Sequence, residues 1–200
     1  MNLPTILTSF RIFLSPLFFV AFFFFSWSGI GAFPAVLIVW VVFFIIEISD
    51  LADGLLARAL DQVTDTGKLL DPFADVIARL TYFVCFVASG IMPAWAFIPI
   101  LYRELGVTYL RMIMYKDGFV LAANRGGKLK AVFYAISGCF GLIIHTIRSL
   151  SLFPGYLENL HLAGMIVFSL AALISLLSFC DYLIVFLRCR KNNKKNDKTS

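Results

Sequence analysis

Charge is what this sequence has least of. Only 14% of its 200 residues are Asp, Glu, Lys or Arg, while 60% are hydrophobic. A soluble domain of average composition carries about 25% charged residues. A water-facing surface cannot be built from so few, which excludes an ordinary soluble globule. Histidine is scarcer still. The two copies, His145 and His161, are far apart in sequence, fall in or near one loop, and read as incidental. Four cysteines (Cys85, Cys139, Cys180, Cys189) show no ligand spacing and lie in or beside apolar segments. They read as buried small hydrophobes. No repeat or linker divides the chain, so one domain over residues 1–200 is expected, with 188–200 as a basic cytoplasmic tail.

What is abundant is apolar length. Phenylalanine occurs 22 times, mostly in runs such as Phe18–Phe19 and Phe22–Phe25. Apolar stretches near twenty residues recur, as helices crossing about 30 Å of hydrocarbon require. The expected fold is all-α and polytopic, with six transmembrane helices at roughly Ile12–Ser28, Phe33–Arg58, Leu70–Ile91, Ala94–Tyr115, Lys130–Ile147 and Leu162–Leu187. The first segment reads as a retained helix, because a signal peptide would carry more positive charge ahead of it than Arg11 alone.

Loop charges set the expected orientation. The connections at Trp27–Pro34 and Ser89–Pro93 carry no charge. Arg58 and Lys68 occupy the second connection, and Lys116, Arg125, Lys128 and Lys130 the fourth. Arg188, Arg190, Lys191, Lys194, Lys195 and Lys198 follow the last span. Lysine and arginine thus alternate in side, and the positive-inside rule puts both termini in the cytoplasm of an inner-membrane protein. Arg148 in the fifth connection breaks the pattern mildly and is balanced by Glu158.

Half of the 12 acidic residues fall between Asp50 and Asp75: Asp50, Asp53, Asp61, Asp65, Asp71 and Asp75. A carboxylate within a span costs about 2.5–3.5 kcal/mol on insertion scales. Only Arg58, Lys68 and Arg79 are near in sequence to balance them, and that deficit of positive charge suggests metal ions. At 100° per residue, Asp50, Asp53, Gly54 and Ala57 share a helix face about 100° wide. Asp71 and Asp75 stack one turn apart on the next helix. If the second and third helices pack antiparallel, four carboxylates meet. Oxygen ligands without His or Cys favour Mg²⁺ or Mn²⁺ over zinc, and four suffice for a pair of ions acting in displacement at phosphorus.

The spacing Asp50-x-x-Asp53-Gly54-x-x-Ala57-Arg58, eight residues, Gly67-x-x-x-Asp71-x-x-x-Asp75 resembles the defining motif of the CDP-alcohol phosphotransferase family at every specified position. Eight fixed matches have a chance probability of about 10⁻⁹ per starting point at ordinary residue frequencies, so coincidence is excluded. The resemblance implies six helices per protomer, homodimers, and an active site at the cytoplasmic membrane edge. It also implies that Asp50, Asp53, Asp71 and Asp75 ligate two metal ions and that Asp75 acts as general base. Gly54, Ala57, Arg58 and Gly67 would receive the CDP-lipid, with Arg58 on its diphosphate.

Beyond the motif, Arg103 and Arg111 are eight apart, about 80° around a helix, and can share a cavity. With Arg125, Lys128 and Lys130 nearby, fixed cations suggest an acceptor that carries a phosphate. The opening Met1-Asn2-Leu3-Pro4-Thr5-Ile6-Leu7-Thr8-Ser9-Phe10-Arg11 is similar to that of the bacterial phosphatidylglycerophosphate-forming branch of the family. So are Leu70-Asp71-Pro72-Phe73-Ala74-Asp75, Tyr102-Arg103-Glu104 and Gly127-Lys128-Leu129-Lys130. That similarity implies that Arg103, Arg111 and Lys128 bind the phosphate of sn-glycerol 3-phosphate, with CDP-diacylglycerol as donor and CMP as leaving group. No Ser, Cys or His is placed as a nucleophile within the motif, which favours direct displacement. Two other readings are a sibling enzyme using inositol phosphate, inositol or serine, and a divalent-cation transporter. The latter class tends to show internal repeats and broken helices near mid-membrane.

Overall fold

A computed structural model describes the backbone of residues 3–28, 31–59, 65–116 and 125–196, and the side chains of 10–24, 31–49, 72–114, 127 and 129–190. Six α-helices follow one another: α1 (Leu3–Ser28), α2 (Ala32–Ala59), α3 (Asp65–Ala88), α4 (Ala94–Lys116), α5 (Arg125–Ser149) and α6 (Leu157–Asn196). A single 3₁₀ turn (Pro154–Tyr156) leads into the last helix. No strand occurs among the described residues. Pro16, Pro72 and Pro99 lie inside helices, which membrane helices tolerate because neighbouring groups satisfy the freed carbonyls.

The expected helices are all present, but they differ in apolarity. Among the described residues, three are long and apolar enough to cross a membrane: Ala32–Ser49, Leu129–Ser149 and Pro154–Arg190. The apolar part of α1 is shorter, Phe10–Phe24. In α3 and α4 the reason is chemical. Asp71, Asp75 and Arg79 interrupt the one, Arg103, Glu104 and Arg111 the other.

Helix α6 extends into the basic C-terminal segment. At 40 residues it is about 60 Å long, twice the hydrocarbon thickness. The segment expected to be a tail from Arg188 onward continues that helix to Asn196. Arginine and lysine are good helix formers, and no glycine or proline intervenes to stop it. His145 and His161 both lie near the α5–α6 connection, as expected. His145 lies within α5, stacked on Phe22 of α1 with ring centroids 4.0 Å apart.

The core is aromatic and centred on α3. Tyr82, Phe83 and Phe86 are all buried. Tyr82 meets Phe43 of α2 edge-on at 5.7 Å, Phe83 meets Tyr134 of α5 at 5.5 Å, and Phe86 meets Phe22 of α1 at 5.9 Å. Such pairs add about 0.5–1.5 kcal/mol each beyond area burial. Gly141 of α5 lies flat against the Phe86 ring, leaving no room for a Cβ. Small residues let membrane helices approach closely in this way. Helix α1 packs on both α2 and α3, while α6 packs on both α4 and α5. At one end, the Arg148 guanidinium donates to the Ser89 carbonyl at 2.7 Å, tying the end of α5 to the turn between α3 and α4.

The distribution of polarity is inverted relative to a soluble protein. Phe13, Phe33, Tyr102 and Leu187 are exposed on the perimeter, whereas Arg11, Arg103, Glu104 and Lys130 are buried. Charge placed inside an apolar shell marks a functional interior.

Candidate active site

Asp75 stands on α3 with cations on two sides. The Arg79 guanidinium, one turn further along the same helix, lies 3.8 Å away, and Arg11 of α1 pairs directly with the carboxylate. Arg11 is only 1% exposed. Its Nε also donates to Ser49 Oγ of α2 at 3.3 Å. Ser49 in turn donates to the Ile46 carbonyl at 2.8 Å, fixing its rotamer. One arginine therefore joins α1, α2 and α3 at the level where the acidic motif begins.

Asp50, Asp53, Gly54, Ala57 and Arg58 follow Ser49 within helical α2, and Gly67 and Asp71 lie in α3 ahead of Asp75. Their side chains, and that of Lys128 in α5, lie outside the described residues. Asp71 is four residues from Asp75 on one helix, hence a turn away along the same face. The expectation that α2 and α3 pack on each other is modified. Among the described residues, α1 is the helix that packs on both. Helices α2 and α3 meet through long side chains such as Phe43 and Tyr82. Phe18 and Phe22 of α1 belong to the same buried core as Phe43 and Tyr82.

Asp75, 23% exposed, opens on a cleft of about 240 Å³. Helix α3 contributes Pro72, Asp75, Val76 and Arg79 to its wall, and α4 contributes Arg103, Glu104, Val107, Thr108 and Arg111. Gly127, Lys130 and Ala131 come from α5 and Tyr182 from α6. Arg103 and Arg111, singled out by their spacing, share this cavity. The two carboxylates and four cations of the described lining leave a formal excess of positive charge.

The cations are held rigidly. Glu104, 2% exposed, accepts from Arg103 at 2.9 Å and from Lys130 at 2.8 Å on the same oxygen. A second Arg103 nitrogen donates to Ser178 Oγ at 3.1 Å, and Arg111 donates to the Tyr182 hydroxyl at 2.9 Å. Lys130 also lies 4.8 Å from the centroid of the Tyr134 ring, a cation–π contact. The Nε atoms of Arg103 and Arg111 are buried without a hydrogen-bond partner among the described residues. A buried N–H left unpaired costs about 1–3 kcal/mol, more when charged. The cleft itself, with four cations against two carboxylates in its described lining, suits an anion.

Sequence reasoning did not assign Arg11, Arg79, Glu104 or Tyr182 to the site, and named Lys130 only as one of the nearby fixed cations. Glu104 and Lys130 lie inside the segments Tyr102-Arg103-Glu104 and Gly127-Lys128-Leu129-Lys130, so a signal existed. Arg11 closes the opening segment. Tyr182 carries none, being one aromatic residue in a long apolar helix.

The donors present fit a hard divalent cation. Asp75 offers carboxylate oxygens on the cleft wall, Asp71 follows the same helix face, and the Arg11–Ser49 contact brings the start of the Asp50 segment to Asp75. Among the described side chains Asp75 is the one motif carboxylate, and no cluster of three metal-ligating groups occurs there.

The arrangement defines a class: a helical membrane protein with a positively charged cleft that also holds a carboxylate. The sequence profile of the CDP-alcohol phosphatidyltransferases matches residues 1–177. The chain belongs to that family and is a transferase. It is 37% identical over 147 residues to a CDP-diacylglycerol–glycerol-3-phosphate 3-phosphatidyltransferase of Treponema pallidum, covering 73% of this chain and 68% of the relative. A probable phosphatidylglycerophosphate synthase of Mycobacterium tuberculosis is 34% identical over 187 residues, 94% of this chain and 82% of the other. A CDP-diacylglycerol–glycerol-3-phosphate 3-phosphatidyltransferase of Bacillus subtilis is 36% identical over 154 residues, 73% and 78% respectively.

Proposed function

We propose that this chain transfers the phosphatidyl group of CDP-diacylglycerol to sn-glycerol 3-phosphate, giving phosphatidylglycerophosphate and CMP. The observation that carries the reading is one cleft lined by Arg79, Arg103, Arg111 and Lys130 together with Asp75. A phosphate on the acceptor balances this excess of positive charge, and its hydroxyl then lies in the same cleft as the Asp75 carboxylate. The names of the relatives agree with that acceptor.

In this reading Arg103, Arg111 and Lys128 hold the acceptor phosphate, with Lys130 and Glu104 fixing Arg103 from behind. Asp75 takes the proton of the attacking hydroxyl as the new P–O bond forms and the bond to CMP breaks. Arg11 and Arg79 keep that carboxylate oriented. Gly54, Ala57 and Gly67 let the nucleotide approach the backbone, and Arg58 meets the diphosphate. Asp50, Asp53, Asp71 and Asp75 would hold two Mg²⁺ or Mn²⁺ ions, which when bound supply charge neutralisation at the diphosphate.

The proposal includes six membrane crossings in the inner membrane, both termini in the cytoplasm and a homodimer. All six helices are 23 residues or longer, which supports crossing even where buried charge lowers apolarity, because about 20 residues suffice. The domain is taken as the whole chain, residues 1–200.

The test offers purified protein CDP-diacylglycerol with glycerol 3-phosphate, glycerol, inositol phosphate, inositol and serine in turn, and identifies each lipid by mass. Phosphatidylglycerophosphate is the expected product. A lipid formed only with inositol phosphate, or only with an unphosphorylated alcohol, would replace the acceptor assigned here.

A further inference from the structure

Helix α6 is apolar through most of its membrane length, yet Ser175, Ser178 and Tyr182 are buried on one face of it, spaced three and four residues apart. Each hydroxyl meets a polar group of α4 or α5. Ser175 pairs with the Tyr134 hydroxyl at 2.8 Å, Ser178 accepts from Arg103 at 3.1 Å, and Tyr182 accepts from Arg111 at 2.9 Å. Of the three, only Tyr182 lines the cleft.

Its ring lies close to both arginines, with the guanidinium carbons of Arg103 and Arg111 at 5.4 Å and 5.5 Å from the centroid. Two cations beside one ring repel each other, and an anion in the cleft relieves that repulsion. A phenol that accepts a hydrogen bond still has its own hydrogen to give. No acceptor for that hydrogen occurs among the described residues. Gly127 makes room for it, because a Cβ at that position would stand 3.3 Å from the Tyr182 oxygen.

We propose that the Tyr182 hydroxyl, held by Arg111, donates to the phosphate of the acceptor and is a specificity-determining residue for phosphorylated acceptors. The inference rests on the reading above that Arg103 and Arg111 receive that phosphate. It adds a neutral donor from α6 to the charged donors of α4, so that the cleft grips the phosphate from two helices. Arg111 polarises the phenol by donating to its oxygen, which strengthens the hydrogen bond that the phenol gives.

The experiment uses Tyr182→Phe in the full-length protein, which keeps the ring close to both arginines and removes only the hydroxyl. The Michaelis constant for glycerol 3-phosphate should rise about tenfold, the low end for a hydrogen bond to a charged group. The constant for CDP-diacylglycerol and the thermal midpoint should stay unchanged. Inorganic phosphate, competing with glycerol 3-phosphate, should weaken as an inhibitor by the same factor. Gly127→Ala, which crowds the hydroxyl, should shift both constants in the same direction by less. If Tyr182→Phe leaves both constants unchanged while Arg111→Ala raises them, the tyrosine assignment falls and the acceptor site stands. A lowered kcat or midpoint at an unchanged Michaelis constant makes Tyr182 a packing residue and also overturns the assignment. Should Arg103→Ala and Arg111→Ala both leave glycerol 3-phosphate and phosphate unaffected, it is the acceptor reading itself that fails.

Discussion

Glu104 shows how a single carboxylate sets the character of the cleft. It lies between Arg103 and Lys130, bonded to each within 2.9 Å, and all three are buried. Breaking a buried ion pair by removing one partner costs about 3–5 kcal/mol, because the survivors keep their desolvation penalty. Glu104→Gln keeps an acceptor oxygen but loses the charge, so a smaller loss is expected, visible as a lowered unfolding midpoint in detergent. Adding Lys130→Met should restore part of that loss, since the ammonium then has no need of a counter-charge. Strict additivity of the two substitutions would show that the pair is not energetically coupled. At Asp75 the expectation concerns chemistry instead. Asp75→Asn and Asp71→Asn should abolish CMP release without preventing insertion, because an amide is a poor base and a weak ligand for a hard cation. Chelation by EDTA should abolish release in the same way, and Mg²⁺ should restore it. Near-normal turnover of either variant in excess Mg²⁺ would remove the metal assignment.

Among the elements, α6 has two faces with separate tasks. One is apolar and exposed, with Leu173, Leu177 and Leu187, and the other braces the arginines of α4. The spacing between α4 and α6 depends on Gly106, where an added Cβ would stand 2.7 Å from the Phe179 ring. Overpacking costs typically about 1–3 kcal/mol. Gly106→Val should therefore raise the Michaelis constant for glycerol 3-phosphate severalfold and lower the midpoint, by moving Arg103 and Arg111 off Ser178 and Tyr182. Pairing it with Phe179→Leu should recover much of both, and Gly155→Ala, with open space around it, should change neither. A silent Gly106→Val would show that the brace tolerates displacement. The existence of α6 was plain from its apolar run, but its end was not. The signal used for the boundary was loss of apolarity, whereas the helix continues through basic residues that are good helix formers. Arg103 and Arg111 were legible because a spacing of eight returns near the same helix face. The partners of Asp75 and Arg111 were not, since Arg11 and Tyr182 lie 64 and 71 residues away and local periodicity carries no trace of such contacts.

At the scale of the whole molecule, the bundle has two unlike ends. The α3–α4 turn and the α5–α6 connection lie at the end where Arg148 meets Ser89, and the Asp75 cleft lies toward the other. Most lysine and arginine outside the helices' apolar parts belongs to the cleft end, in the second and fourth connections and after Leu187. Chains with this asymmetry insert with the basic end in the cytoplasm, where a charged, water-soluble acceptor would be met. Cysteine labelling checks the orientation directly. Cys85 is buried and Cys180 faces outward within the apolar part of α6, so neither should react with a membrane-impermeant maleimide. Cys189, beyond Leu187, should react only after the membrane is permeabilised. A cysteine placed at exposed Glu158, at the opposite end, should react in intact spheroplasts. Labelling of Cys189 from outside, with Glu158→Cys shielded, would invert the orientation and put the cleft on the wrong side for a cytoplasmic acceptor. Reaction of both from the same side would mean that α6 does not cross the membrane, which would also remove the bilayer as the reason for its apolar outer face.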